Sequence, residues 1–506
     1  MALLDALWLP VMGIYTLALV FFLCVGLNLL YMTALAWRRP PRHSAPGPMT
    51  DFPQVTIQLP IFNELYVVER LIDASCGLDW PRDRLEIQVL DDSTDETQFL
   101  VARLVRRWAE KGFNITHVRR SDRLGYKAGA LEAGLHRARG EFIAVFDADF
   151  VPPPHFLQEA MPYFCYERVG FVQARWGHLN QSYSLLTELQ SVVIDAHFFV
   201  DQVARNRGGY FMNFNGTAGV WRRAAIADAG GWEHDTLAED LDLSYRAQLR
   251  GWEAVYLPDV VVYAELPVTV AAFRSQQRRW AAGSFACAIK LLPKVLAAPV
   301  SVGVKVQAAL HLMGYGSHLC LLAMFLLQPF LITYSQRFSP QTSLLASPFW
   351  LLLATLPALA PGVYLAYAQW RANGQLFQRV PYILGASVLG AGIMLTVVGA
   401  LARVLIGKHL AFERTPKYGI ARQSDSWDGK RYALGVDPLL AFELLLACFS
   451  FGSVAYAAAL KSWGSLFYTG YFLLGLLFIV GMSFIQLSVP VLPRVLASSP
   501  SANRDS

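Results

Sequence analysis

Along the chain, two textures of hydrophobic and polar positions alternate. Residues 11–36 (VMGIYTLALVFFLCVGLNLLYMTALA) form an uncharged apolar run. That run exceeds the roughly 20 residues needed to cross a bilayer as a helix. Residues 50–265 mix polar and apolar positions as a soluble domain does, and apolar runs return at 305–333, 346–369, 381–406, 437–460 and 464–490. Within the mixed region three short apolar runs end in polar residues: VTIQLP at 55–60, EIQVLDDS at 86–93 and FIAVFDAD at 142–149. Helical patterns at 66–77, 94–111 and 127–139 separate or follow them. Strands alternating with helices predict βαβ units and a mostly parallel sheet covered on both faces. Such sheets bind ligands beyond the carboxyl ends of their strands. No GxGxxG fingerprint follows the first strand, which argues against a dinucleotide-binding dehydrogenase.

The first apolar run lacks the basic start and small-residue cleavage site of a signal peptide, so residues 1–37 are expected to be an uncleaved anchor. Arg38, Arg39, Arg42 and His43 follow it directly. By the positive-inside rule they place the next domain in the cytosol. If every later run crossed the membrane, the basic loop 407–434 would fall outside, against that rule. A run at 381–406 that dips in and returns, or lies along the interface, keeps all basic loops cytosolic. That reading gives five full spans within an anchor and a 304–490 region, an outside N-terminus and an inside C-terminus. Residues 266–303, which carry RSQQRRW, read as amphipathic interfacial helices. The tail 491–506 reads as disordered. The expectation is an integral membrane protein, of the inner or plasma membrane in a bacterium.

Composition sharpens this picture. Of the 506 residues 54% are hydrophobic and 16% charged, against about 45–50% and about 25% in soluble domains. The net charge of +5 fits basic flanks of membrane segments. No basic stripe interleaved with aromatics points to nucleic acid. The six cysteines stand apart, with no CxxC pair and no zinc spacing, so neither a disulfide framework nor a zinc site is indicated.

Four polar elements could carry chemistry: Asp91-Asp92 at the second strand's end, Asp147-Ala148-Asp149 at another strand's end, Glu239-Asp240 at a helix start, and Gln276-Gln277-Arg278-Arg279-Trp280 at the membrane entrance. Two carboxylates at i and i+2 can share one hard divalent cation that also holds a diphosphate. Alone, each has an ordinary structural reading: a helix cap, dipole stabilisation, or an interfacial anchor. All four in this order, two of them at strand ends, are hard to obtain by chance.

The order DD, DxD, ED and QxxRW resembles that of the processive family-two glycosyltransferases of the cellulose synthase superfamily, in particular the cellulose-synthase-like makers of mannan, glucomannan or β-glucan. The resemblance runs over about residues 50–290, through VTIQLPIFNE, CGLDWPRDRLEIQVLDDSTDET, GYKAGAL, VFDADFVP, FVQARW, FNGTAGVWRRAAI, AEDLDLSYRAQLRGW and QQRRW. It implies a GT-A type α/β domain over 50–265 beside an α-helical membrane region. It implies that Asp92, with Asp91 beside it, contacts the nucleotide base or ribose, and that Lys127 sits at the phosphates or ribose. By the same resemblance, Asp147 and Asp149 would hold the diphosphate, Asp149 through Mg²⁺ or Mn²⁺, and Asp240 would be the general base. It further implies that Gln276, Arg279 and Trp280 line the acceptor site, with Glu239 beside them and Arg279 also facing the diphosphate. The loop FERTPK resembles a cellulose synthase gating loop, with Phe412, Thr415 and Lys417 in matching places and Arg414 where the family has Val. Ala238 replaces the usual Thr before Glu239-Asp240. No cytosolic regulatory domain follows the last span, so control by a cyclic dinucleotide is not expected.

Independently of the resemblance, inverting transfer needs one carboxylate to take the attacking hydroxyl's proton and cations to stabilise the leaving diphosphate. No second carboxylate stands out as a nucleophile, so retention is disfavoured. By the resemblance alone, the expected activity is transfer of a hexose to the non-reducing end of a growing β-1,4-glycan, from UDP-glucose or GDP-mannose, UDP-glucose slightly ahead. The alternative is a single-transfer glycolipid synthase acting on a lipid acceptor. A transporter or scaffold would not need the acidic set. Gly216 and Gly219 are expected to permit close approach, Asp195 and His197 to pack against a core, and Arg175-Trp176 to be chiefly structural. Any export partner is left open.

Overall fold

The computed structural model describes residues 2–47, 49–337, 348–407 and 413–487. The tail 491–506 and Phe412 of the predicted gating loop lie outside the described residues.

Seven strands form one sheet: β1 (Val55–Ile61), β2 (Leu85–Asp91), β3 (Ile115–Arg119), β4 (Phe142–Val145), β5 (Val169–His178), β6 (Gly219–Arg222) and β7 (Glu253–Ala264). Their order is β3-β2-β1-β4-β6-β5-β7. β1 pairs in parallel with β2 and β4, β2 with β3 and β5 with β7; β6 alone runs against its neighbours. The sheet is therefore mostly parallel, as the alternating pattern predicts. β1, β2 and β4 are almost wholly buried; only β4 reads as a continuous apolar run, since Thr56, Gln58, Glu86 and Gln88 interrupt the other two. Their alternating side chains divide between two cores. One contains Val55, Ile57 and Leu59 with Leu71 and Val101 of the helices at 68–76 and 97–110. The other contains Ile143 and Val145 with Leu131 of the helix at 126–135.

Polar strand residues on the second face are paired rather than exposed. Thr56 Oγ1 donates to Glu86 Oε2 at 2.6 Å, and the Arg139 backbone N–H donates to the same oxygen at 2.9 Å. Gly134 lets the helix at 126–135 approach closely, since a Cβ there would lie 2.6 Å from Gln58 Nε2.

The remaining chain is helical. Among the described residues five helices are long and apolar enough to cross a membrane: Trp8–Arg38, Val270–Ala297, Gly314–Tyr334, Leu439–Ala459 and Trp463–Leu487. Residues 266–303, expected to be interfacial helices, fold mainly as one 28-residue helix at 270–297, capped by Thr269, whose Oγ1 accepts from the Ala272 N–H at 3.2 Å. The run 305–333 divides at Gly314–Gly316 into helices 302–312 and 317–337. The run 346–369 lies in the helix at 348–373. The run 381–406 is broken into helices 376–392 and 394–405 that bend by 43°, so it is not a straight span. Gly392 and Gly475 bring the helices at 376–392 and 463–487 into contact, since a Cβ at Gly392 would lie 2.4 Å from the Gly475 carbonyl oxygen. All six cysteines are free.

Candidate active site

The carboxyl ends of β1, β2, β4 and β7 open on one cavity, where the strand-end rule places a ligand. Asp92, Lys127, Asp147, Asp149, Glu239, Asp240, Gln276, Arg279 and Trp280 all line it, as do Thr415 and Lys417 of the loop. Sequence-distant motifs therefore converge.

Asp91 does not line it. Adjacent strand residues point to opposite faces. Asp91 is buried, with Oδ2 2.8 Å from His117 Nε2 and Oδ1 accepting from the Ser93 N–H at 2.9 Å. Burial pushes its carboxyl up, but His117 and Ser93 more than offset this and hold it below the usual range. The expected donor contact of Asp91 is thus corrected to support of the strand end. Asp92 faces the cavity, where Arg120 pairs with it.

Lys127, in the first turn of the helix at 126–135, reaches Asp147 Oδ1 at 2.6 Å and donates to the Gly216 carbonyl at 2.9 Å. Burial lowers its ammonium pKa, but Asp147 and Glu239 outweigh that and leave it raised and charged. Asp147 and Asp149 follow β4 and present carboxylates to the same cavity. The two carboxylates offer oxygen donors, which fit a hard divalent cation such as Mg²⁺ or Mn²⁺. Asp149 Oδ2 is held by Lys417 Nζ at 2.6 Å.

Glu239 and Asp240 open the helix at 239–249, as predicted. Burial, with Glu239 beside it, pushes the Asp240 carboxyl up to about 7; Lys127 and the Leu241 N–H pull the other way. A carboxylate poised there suits a general base at neutral pH. Gly216 has φ +79°, and a Cβ on it would lie 2.8 Å from Asp240 Oδ2. Close approach at Gly216 and Gly219 is borne out, since a Cβ at Gly219 would lie 2.4 Å from the Val172 carbonyl.

A second cavity meets the first at Asp240, Gln276 and Trp280 and extends among the apolar helices, where Phe273, Tyr315, Tyr364, Leu389 and Ile393 line it. His197 lines this cavity and lies 2.9 Å from Asn215 Nδ2. It opens a π-helical turn at 197–202, a distortion often found at functional sites. Asp195 is structural, bridging His178 and Gln369. Arg175 is tied to the Pro258 carbonyl at 2.7 Å, but Trp176 lines both cavities.

Two acids that sequence reasoning passed over belong to the site. Glu64 lies three residues beyond β1 and contacts Arg414 at 2.8 Å. Glu265 directly follows β7 and accepts the backbone N–H groups of Tyr418 and Ile420 at 2.8 and 3.1 Å, which seats the loop. Their position at strand ends was the available signal.

Comparison with known proteins places this geometry. Residues 53–283 match the family model described as "Glycosyltransferase like family 2". Glucomannan 4-beta-mannosyltransferase 2 of Arabidopsis thaliana is 46% identical over 265 residues, covering 50% of this chain and 50% of the relative. Glucomannan 4-beta-mannosyltransferase 1 of Oryza sativa subsp. japonica is 45% identical over 273 residues, covering 51% and 52%. The chain spans about half the length of the curated relatives it matches. Among solved structures, mannosyltransferase PcManGT from Pyrobaculum calidifontis, in complex with GDP-Man and Mn²⁺, aligns with a TM-score of 0.53 at 24% identity over 80% of this chain and 100% of that one. The expected GT-A type fold is borne out.

Proposed function

We propose, from the premise that residues 53–283 are a family-two glycosyltransferase domain, that the chain extends a β-1,4-linked glycan by inverting transfer of mannose. Similarity to glucomannan mannosyltransferases reverses the slight preference for UDP-glucose, so GDP-mannose is the donor proposed. The observation that carries the reading is the place of Asp240, in the wall shared by the two cavities. On one side lie the charged groups suited to a nucleotide diphosphate. On the other, aromatic and apolar side chains suited to a glycan lead toward the membrane helices.

In this reading the acceptor's terminal sugar rests against Trp280, with Gln276 orienting it. Its hydroxyl oxygen attacks the anomeric carbon opposite the diphosphate, the bond from that carbon to the phosphate oxygen breaks, and Asp240 takes the hydroxyl proton. Lys127 and Arg279 stabilise the charge gathering on the departing diphosphate, and Asp92 faces the ribose or base. Asp147 and Asp149 would hold a divalent cation, which when bound supplies further charge neutralisation at the diphosphate. Residues 1–37 are read as an anchor, 50–265 as the catalytic domain on the cytosolic side, 266–303 as the segment bearing QxxRW and 304–490 as the membrane region with the loop 407–434.

The test uses detergent-purified protein with Mn²⁺ or Mg²⁺ and labelled GDP-mannose or UDP-glucose, wild type beside Asp240→Asn. Ethanol-insoluble label from GDP-mannose, lost in the variant, is expected. Label confined to lipid extracts would assign the single-transfer glycolipid activity instead.

A further inference from the structure

The loop over 413–434 reaches into the donor cavity, and its Arg414 stands where the resembling family has valine. Arg414 Nη1 lies 2.8 Å from Glu64 Oε2, and the two side chains are only 12% and 10% exposed. The contact is one of charge without good direction, for neither of these two atoms makes a well-aligned hydrogen bond. A guanidinium binds best through two parallel N–H groups on a planar anion; one misaligned carboxylate oxygen does not satisfy it. The Glu64 carboxyl, pushed up to about 7 chiefly by burial, is also a weak competitor for the cation. Beside Arg414, Thr415 is 4% exposed and lines the same cavity, and its buried hydroxyl has no hydrogen-bond partner among the described residues. The Arg414 guanidinium also rests 4.2 Å from the ring centre of Tyr432. That contact leaves the guanidinium's edge, where its N–H groups lie, available to an in-plane anion.

We infer that Arg414 is a donor-binding residue whose guanidinium takes the diphosphate of the nucleotide sugar, and that Glu64 is the carboxylate from which the diphosphate draws it. This rests on the donor reading above, because it takes a nucleoside diphosphate as the ligand of that cavity. The exchange replaces a poorly aligned contact with charge-assisted hydrogen bonds and lets the Thr415 hydroxyl donate to the same anion. Glu64 is then a positioning residue. It keeps the guanidinium inside the cavity before the donor arrives, and it works against donor affinity rather than for it.

That opposition of sign gives the test. Binding of GDP and UDP with Mn²⁺, and of guanosine alone, is measured by titration calorimetry on the full chain in detergent. Arg414→Val should weaken diphosphate binding by about tenfold or more, the worth of charge-assisted hydrogen bonds, and Arg414→Lys should recover part of it. Glu64→Gln should tighten diphosphate binding several-fold. A gain cannot come from misfolding, so this variant keeps the inference open to refutation if Arg414→Val proves unstable. Guanosine binding should be unchanged in all three. If Glu64→Gln weakens diphosphate binding as Arg414→Val does, or if guanosine binding falls in parallel, the pair merely fastens the loop and the inference is overturned. Failure of the wild-type chain to bind either diphosphate would instead overturn the donor reading beneath it.

Discussion

Lys417 Nζ lies 2.6 Å from Asp149 Oδ2 and 2.8 Å from the Glu265 carbonyl oxygen, so the loop brings its own cation to the second carboxylate of the DAD motif. An ammonium and a divalent ion cannot share that oxygen, because they repel and fill the same space. Lys417→Met is therefore expected to raise Mn²⁺ affinity without nucleotide by about tenfold, read by electron paramagnetic resonance of free Mn²⁺. The same variant should raise the donor KM, because a lysine displaced from Asp149 is free to meet phosphate. Loss of both affinities together would show that Lys417 only builds the cavity wall.

The pH dependence follows from Asp240, whose carboxyl is raised to about 7 chiefly by burial and by Glu239. In the proposed role of general base it must be ionised, so kcat/KM should rise with pH and level off above about 7. Glu239→Gln removes a neighbour that raises this value and should move the rising limb to lower pH. Lys127→Met removes one that lowers it and should move the limb up. Stability runs the other way. The folded value lies above the unfolded one, so this contribution is complete below about pH 4 and is lost as pH rises to about 7. Asp240→Asn should remove that part of the pH dependence of thermal unfolding. A rising limb that ignores Glu239→Gln would remove Asp240 as its source.

Much of this site could be read from the chain because its acids follow short segments of strong strand pattern: VTIQLP, EIQVL and FIAVF are buried on both sides. β3 was missed because ITHVR is half exposed and short. β5 was missed because VGFVQARWGH places Gln173 and Arg175 among its apolar positions. Gln173 is nonetheless wholly buried, its amide bonded to the carbonyls of Ala174, Thr217 and Ala218, a partnership no local pattern announces. The pair Asp91-Asp92 looked equivalent, yet alternation along β2 admits only one of them to the cavity. Glu64 and Glu265 belong to no acidic motif, and their significance arises from a loop more than 150 residues away in sequence from Glu265 and farther still from Glu64.

At Gly216 the backbone passes close to the proposed base, Asp240. With φ +79°, and a would-be Cβ 2.8 Å from Asp240 Oδ2 and 3.2 Å from Lys127 Nζ, Gly216→Ala combines left-handed strain with a clash at two reacting-side groups. The strain costs about 1 kcal/mol of stability, a modest loss for a chain of this size. The expected result is a fall in kcat of about a hundredfold, the scale on which misplacing a reacting group acts, with a smaller change in thermal midpoint. A large drop in midpoint with kcat preserved in the folded fraction would make Gly216 a structural glycine only.

The helix that carries Gln276, Arg279 and Trp280 is fastened by two ion pairs one turn apart: Arg274 with Glu443 and Arg278 with Asp437. Arg274 and Glu443 have side chains 2% and 0% exposed, and Glu443 sits within the apolar helix at 439–459. Removing one member of such a pair leaves the other buried and uncompensated, which costs about 3–5 kcal/mol, whereas replacing both by apolar groups of similar volume is often neutral. Glu443→Ala should therefore lower the thermal midpoint in detergent sharply, and Arg274→Met with Glu443→Met should restore it. Transfer activity of the double variant then separates two roles. Recovery of activity along with stability would mean the pair serves only to hold the helix. Restored stability without activity would mean that Arg274 and Glu443 also set the angle at which Trp280 faces the two cavities, where the acceptor is proposed to rest, since an apolar pair can fasten two helices without fixing their register.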